Sequence, residues 1–261
     1  MADGSGGGCA GVVLAGGRSR RMGTPKAALE WHGSTLIRRT VEVVARGSGG
    51  PVVVVRAPGQ PLPSLPAGVL LRDDPAEGLG PLQGLAVGLA AAAEIGAEVA
   101  FVCSTDLPFL HPAYVRCVLA AVGDGVDVAL PVARGFRQPL AAGYRAALGA
   151  QCSRLVAEGR LKPAFLFDEV RTAVLDDAAL LTDPLLAAAD PLLTSVVNVN
   201  TLEDYAAARA RAAPLVTVLP DGWRVRAATV GGLGLDQALT LDGHRTDPQT
   251  PLVEGDVVTR G

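Results

Sequence analysis

The sequence predicts an α/β protein: a Rossmann-like, mostly parallel sheet with helices on both faces, plus a small β-rich module at the carboxyl end. Three observations lead there. Short apolar runs alternate with Ala- and Leu-rich helical stretches over the first four-fifths of the chain, as in sheets built from crossover connections. The apolar runs are near-continuous rather than alternating, which is how strands covered on both faces read. At Pro214 the composition changes to short strands and turns.

In chain order, Met1 to Ala10 is Gly-rich with an acid and no basic run, so it reads as a flexible start rather than a signal peptide. Gly11 to Ala15 is the first expected strand, followed by a Gly-Gly break and a basic loop to Lys26. A helix is expected from near Thr35, with Leu36, Val41 and Val44 apolar and basic residues between them. Pro51 to Val55 and Gly68 to Leu71 are further strands, the latter ending at Arg72-Asp73-Asp74-Pro75. A Gly- and Pro-rich loop, Glu77 to Gly84, leads to a helix over about Leu85 to Ile95. Glu98 to Cys103 is a strand closing at Thr105-Asp106-Leu107-Pro108. Helix Pro112 to Val122, strands Val126 to Pro131 and Gln138 to Tyr144, a mostly helical stretch to about Ala188, a short strand Val196 to Asn200 and a helix Leu202 to Ala212 follow. These readings divide the chain into a start at 1–10, a main domain at 11–213 and a module at 214–261. Turn signals at Pro220-Asp221-Gly222, Asp242-Gly243 and Glu254-Gly255 mark the module as β-rich.

Composition narrows the function. Of 261 residues 49% are apolar but only 4% aromatic, so the core is built from Ala, Val and Leu. A net charge of −3 argues against a nucleic-acid partner, so polyphosphate would be held by a local loop rather than a global field. No apolar run approaches the roughly 18 residues of a membrane span, so no membrane partner is expected. Cys9, Cys103, Cys117 and Cys152 lack CxxC spacing and read as small thiols in a reducing cytoplasm. His32, His111 and His244 are scattered and read as surface or core residues.

The informative stretch is Leu14-Ala15-Gly16-Gly17-Arg18-Ser19-Arg20-Arg21-Met22-Gly23-Thr24-Pro25-Lys26, directly after a strand. Two glycines let the backbone approach a ligand and turn N–H groups toward it. Three arginines and a lysine add phosphate donors, bidentate in the first case and point-like in the second. It is neither a GxxxxGK[ST] loop nor a GxGxxG fingerprint with its downstream acid. Asp106, past the end of a strand, lies where α/β sheets place ligands. From spacing alone it reads equally as a carboxylate for Mg²⁺ or as a helix cap.

Leu14 to Lys26 resembles the LAGG-x-x-x-R-M-G-x-x-K signature of sugar-phosphate and cofactor nucleotidyltransferases, and the chain as a whole resembles the molybdenum cofactor guanylyltransferases over roughly Gly11 to Ala212. The resemblance implies that Leu14, Ala15, Gly16 and Gly17 contact the nucleotide and that Arg21 and Lys26 hold the triphosphate. It implies Mg²⁺ at Asp106, through a D-x-P motif, and guanine recognition by Asp73, seven residues before the Gly80-Pro81-Leu82 loop; that loop is alternatively a rigid turn opening a helix. Gln138 and Pro139, in Arg137-Gln138-Pro139-Leu140, fall on the acceptor side. Asn198 and Asn200, in Asn198-Val199-Asn200-Thr201, close the site, with Thr201 alternatively a helix cap. Arg56 stands where guanylyltransferases often have asparagine. The implied reaction transfers GMP from GTP to molybdopterin. Cytidylyltransferases usually read LAAG, so Gly16 favours guanine. A CTP or sugar-1-phosphate enzyme of the same superfamily, and a non-catalytic nucleotide-binding protein, are the alternatives. Leu239 to Val258 resembles the closing part of β-grasp sulfur carriers, but Arg260-Gly261 stands where those carriers have Gly-Gly. The module is therefore expected to dock or stabilise, and to be the contact surface for other cofactor-biosynthesis proteins.

Overall fold

The computed structural model describes residues 8–16, 26–76, 78–235 and 239–260. The main domain begins with β1 (Gly8–Leu14), a short 3-10 helix (Lys26–Ala28), the hairpin β2 (Glu30–Trp31) and β3 (Ser34–Thr35), and helix α1 (Leu36–Ser48). β4 (Val52–Arg56), β5 (Leu70–Asp73), α2 (Gly80–Glu94), β6 (Ala97–Ser104) and α3 (Pro112–Ala120) follow. β7 (Val128–Ala133), β8 (Phe136–Arg137) and β9 (Ala141–Arg145) lead to α4 (Gly149–Ala157), α5 (Ala164–Phe167), β10 (Thr172–Asp176), α6 (Asp177–Leu180), α7 (Pro184–Ala189) and α8 (Leu202–Arg209). The module holds β11 (Leu215–Leu219), β12 (Trp223–Arg226), β13 (Leu239–Leu241), β14 (His244–Arg245) and β15 (Val257–Arg260).

The main sheet runs β10-β7-β9-β6-β1-β4-β5, with β8 hairpinned onto β7. Its pairs are parallel except around β9 and β8. β9 runs against its neighbours because only a turn at Arg134-Gly135 and a few residues join it to β7, whereas a parallel return needs a dozen or more. The strands alternate their apolar side chains between two cores. Val12, Val53 and Val102 pack on the α2–α4 side, and Val13, Val54 and Phe101 on the α1–α3 side. A Cβ on Gly88 of α2 would lie 2.3 Å from Val12 Cγ1, so the helix presses directly onto β1. Helix α1 starts where Thr35 Oγ1 accepts from Arg38 N at 3.3 Å and stops at Gly49, whose φ of 66° suits the left-handed cap.

Several boundaries differ from the sequence reading. β1 already begins at Gly8, because its ladder with β6 extends to Ala97. α2 starts at Gly80 rather than Leu85, since Gly80 takes φ 74° and Pro81 is preorganised for a first turn. The stretch expected to be mostly helical to Ala188 contains strand β10, whose partner β7 completes that edge of the sheet. Val196 to Asn200 is not a strand: Thr194–Val196 is a 3-10 turn, and the next residues are extended without a ladder.

The module is a separate five-stranded sheet, β12-β11-β15-β13-β14, with β11 and β15 parallel at its centre and its own core around Val216, Val218, Leu241, Leu252 and Val258. Among the described residues no helix is long and apolar enough to cross a membrane.

Candidate active site

The carboxyl ends of β6, β1, β4 and β5 lie side by side, because those strands are adjacent and parallel. Three strand spacings separate β6 from β5, roughly 14 Å in all. The residues singled out in the sequence are strung along that edge. Asp106 follows β6, Leu14 to Gly16 end β1, Arg56 ends β4 and Asp73 ends β5. This is the crevice where open α/β sheets take ligands.

At the β6 end, Lys26 Nζ donates to Asp106 Oδ2 at 3.2 Å and to Asn200 Oδ1 at 2.8 Å. Three segments far apart in sequence thus meet at one ammonium, with about a fifth of each charged side chain open to solvent. Ser104 Oγ donates to Asp106 Oδ1, and Val199 N donates to Asp106 O at 2.9 Å, so both the carboxylate and its backbone are held. The helix-cap alternative for Asp106 does not hold: α3 begins at Pro112 and is capped by His111 Nδ1, which accepts from Ala113 N at 3.1 Å. Thr201, by contrast, caps α8 in a capping box with Asp204. The Asp204 carboxylate accepts from Asn200 N and Thr201 N, both at 2.9 Å, and these bonds hold it below the usual carboxylate range.

Asn198 and Asn200 are both exposed with Val199 buried between them, so the alternation expected of a strand persists in the extended segment. What fixes them is a small core of Leu29, Trp31, Leu36, Val199 and Ala208, with Phe109 and Tyr205 packed on it. That core ties the 3-10 helix carrying Lys26 to α8, and Tyr205 Oη donates to Glu30 O across it. Gln138 and Pro139 come to the same end of the sheet: Ser104 N donates to Leu140 O at 3.3 Å, and Gln138 is anchored through its N–H to Pro131 O at 2.8 Å.

At the β1 end, Ala15 N donates to Val55 O at 2.7 Å, and Gln60 bridges the two strand ends, accepting from Ala57 N and donating to Ala15 O. A Cβ on Gly16 would lie 3.3 Å from Ala57 N, so the third position of the signature is close to backbone. A Cβ on Gly84 would lie 3.3 Å from Leu14 Cδ1, which sets the first turn of α2 against the end of β1. Gly80, Pro81 and Leu82 therefore belong to a helix start. Among the described residues no side chain caps that start, leaving its first N–H groups available to an anion. Gly17 and Arg21 lie outside the described residues.

At the β5 end, Asp73 is paired: Arg56 Nε donates to its Oδ1 at 2.6 Å. Sequence reasoning flagged both residues but not their contact, which arises because Arg56 and Asp73 are register partners on β4 and β5. It also missed Ser104 and Gln60, for which the only signal was adjacency to Asp106 and Arg56.

A family model for the MobA-like NTP transferase domain matches residues 11–172, more than half of the chain. The chain belongs to that family. As a MobA-like protein it is a nucleotidyltransferase, and curated relatives agree. It is 42% identical over 179 residues to a probable molybdenum cofactor guanylyltransferase of Mycobacterium tuberculosis H37Rv, covering 67% of this chain and 87% of that one. In fold it is similar to the molybdopterin-guanine dinucleotide biosynthesis protein A of Archaeoglobus fulgidus (TM-score 0.59, 21% identity, 77% of this chain and 96% of that). It is also similar to 2-C-methyl-D-erythritol 4-phosphate cytidylyltransferase of Thermus thermophilus (TM-score 0.52, 19% identity, 76% and 96%). Fold alone therefore does not select a base. The module at 214–261 lies beyond the family match.

Proposed function

We propose that this MobA-like chain transfers GMP from GTP to the terminal phosphate of molybdopterin and releases pyrophosphate. The observation that carries the reading is the Lys26–Asp106–Asn200 cluster at the β6 end of a crevice whose other end, three strand spacings along the sheet, holds Asp73. In this arrangement the base lies toward Asp73, the phosphates along Gly16 and Lys26, and the acceptor beside Gln138, Pro139 and Asn198.

Lys26 would exchange its contact with Asp106 for the triphosphate oxygens, and Arg21 would join it as the signature implies. The acceptor's phosphate oxygen forms a bond to the α-phosphorus, and the bond from that phosphorus to the bridging oxygen breaks. The protein supplies no covalent intermediate; orientation and positive charge do the work. Asp73 would accept from the N–H edge of guanine once Arg56 swings aside. Among the described residues no group of three or more Asp, Glu, His or Cys gathers to hold a metal alone. One carboxylate plus substrate oxygens is the arrangement Mg²⁺ favours, so Asp106 with the Asn200 amide oxygen fits that ion. When bound it would neutralise charge on the phosphates. The cysteines are free thiols, and burial pushes Cys117 up to about 11 and Cys152 up to about 12, so neither is poised as a thiolate nucleophile for this reaction.

Calorimetry tests the reading: GTP, CTP and ATP are titrated with and without Mg²⁺ into the wild type and Lys26→Ala. Selective GTP binding that weakens without metal and is lost in the variant is expected. A preference for CTP transfers the chain to the cytidylyltransferase class, and no binding by any nucleotide ends the enzymatic proposal.

A further inference from the structure

Between the module and the main domain lies a cavity of about 290 Å³, apart from the nucleotide crevice. Its walls include Trp31 and Phe109, in edge contact at 5.9 Å between ring centroids, with Ala228 and Val253 on the module side. Its charged groups are unequal. Asp190 also lines it, but its carboxylate is committed to Thr194 N, Thr194 Oγ1 and Ser195 N. Glu254 is likewise engaged by Leu215 N.

Neither guanidinium is met by a carboxylate among the described residues. Arg39 is 5% exposed, and its only hydrogen bonds among the described residues run from Nε to Pro108 O and from Nη1 to Leu252 O. Among those residues its Nη2 has no partner, and no carboxylate lies within ion-pair reach; Asp256, which is near, is taken by Arg46. Burial lowers Arg39 only to about 10, so the group stays cationic at neutral pH. Arg211, at the rim, stacks its guanidinium 4.4 Å from the Phe109 centroid and likewise has no carboxylate among the described residues. Both guanidiniums line the cavity, where an incoming carboxylate or phosphate would accept from them in charge-assisted hydrogen bonds.

We propose that this seam cavity binds a small organic anion bearing a flat ring, its carboxylate or phosphate on Arg39 and Arg211 and its ring against Trp31 and Phe109. Such a ligand touches both units at once. It binds only the docked, folded chain and so stabilises it by mass action. The volume suits a ligand of single-ring size, at the low end of small-molecule sites.

The test uses phenyl phosphate, benzoate and the neutral benzyl alcohol with the full-length chain, read by calorimetry and by the melting temperature. One equivalent of phenyl phosphate or benzoate is expected to bind and to raise the melting temperature, with benzyl alcohol at least tenfold weaker. Ala212→Trp, which fills the rim, and Arg211→Ala are each expected to weaken the anion at least tenfold, as is Arg39→Met if it folds. Lys26→Ala, which disables the phosphate end of the crevice, is expected to leave it unchanged. Binding that is lost in Lys26→Ala but kept in Ala212→Trp overturns the proposal, because the anion then sits in the nucleotide crevice. Equal binding of benzyl alcohol, or no binding of any probe, overturns it as well.

Discussion

Gly16 is the residue at which base choice meets steric fact. The backbone at Ala57 leaves 3.3 Å for any Cβ there, and Gln60 clamps both strand ends, so an added methyl must open the gap between β1 and β4. The shift needed is a few tenths of an ångström, small for the fold but placed at the strand end where, on the proposed function, the nucleotide is bound. Gly16→Ala is expected to weaken GTP about tenfold, or about 1.4 kcal/mol, with the circular dichroism spectrum unchanged. Calorimetry on the variant checks it, and an unchanged GTP affinity would remove Gly16 from the specificity argument. At this scale the sequence was most informative about which residues gather at the crevice: Lys26, in the signature, and Asp106, past the end of β6, meet at 3.2 Å. It was silent on the Arg56–Asp73 pair, because a contact across 17 residues depends on strand register, which no local pattern states.

Among the elements, α3 shows how a scattered histidine acquires a task. His111 Nδ1 accepts the cap bond from Ala113 N, which puts its proton on Nε2, and Nε2 donates to Glu254 O of the module at 3.1 Å. The neutral tautomer therefore joins a helix start to the second unit. Burial lowers the His111 pKa, with Arg46 adding to that effect while Glu254 O, Asp256 and Asp190 oppose it. Its folded value lies below the unfolded one, near 6.5, so the unfolded chain takes up the proton first as pH falls. Stability is then full above about pH 6.5 and declines below it, toward the folded value. The melting temperature should fall between pH 7.5 and 5.5, and His111→Asn, which can cap without titrating, should fall less steeply. Parallel profiles for the two proteins would dismiss the idea. His32 is lowered too, chiefly by burial, so the variant's slope is reduced rather than abolished. Elements were legible where the apolar run is buried on both faces, as in β1, β4 and β6. They were not where an edge strand such as β10 fully buries none of its five residues and lies amid helix-forming Ala and Leu.

Over the whole molecule, one face of α1 makes the charged contacts that join the two units, beside the His111 and Thr229 bonds. Arg38 pairs with Asp247 and donates to Gln249, Arg39 reaches Leu252 O, and Arg46 grips Asp256 with two bonds while touching Asp242. The sequence showed α1 with basic residues between its apolar ones, but nothing in it said that those residues face a second unit rather than solvent. Val253 of the module completes the packing by entering the main domain's own core. Arg46 is the strongest of these links: burial disfavours its charge, yet Asp256 and Asp242 outweigh that and raise it above its ordinary value. Asp256 is 6% exposed in its side chain and also accepts from Val253 N, so removing the guanidinium would strand a buried carboxylate. Breaking such a pair costs about 3–5 kcal/mol when fully buried; with Arg46 partly open to water, about 2–4 kcal/mol is expected for Arg46→Met. The two tryptophans report the consequence from either side of the seam, Trp31 on the main domain's cavity wall and Trp223 in β12 of the module. In urea the wild type should lose both signals in one transition, because Val253 and the α1 arginines couple the module to the main domain. Arg46→Met should split them, with Trp223 released first. A single unshifted transition in the variant would mean that the arginine face of α1 decorates the seam rather than holding it.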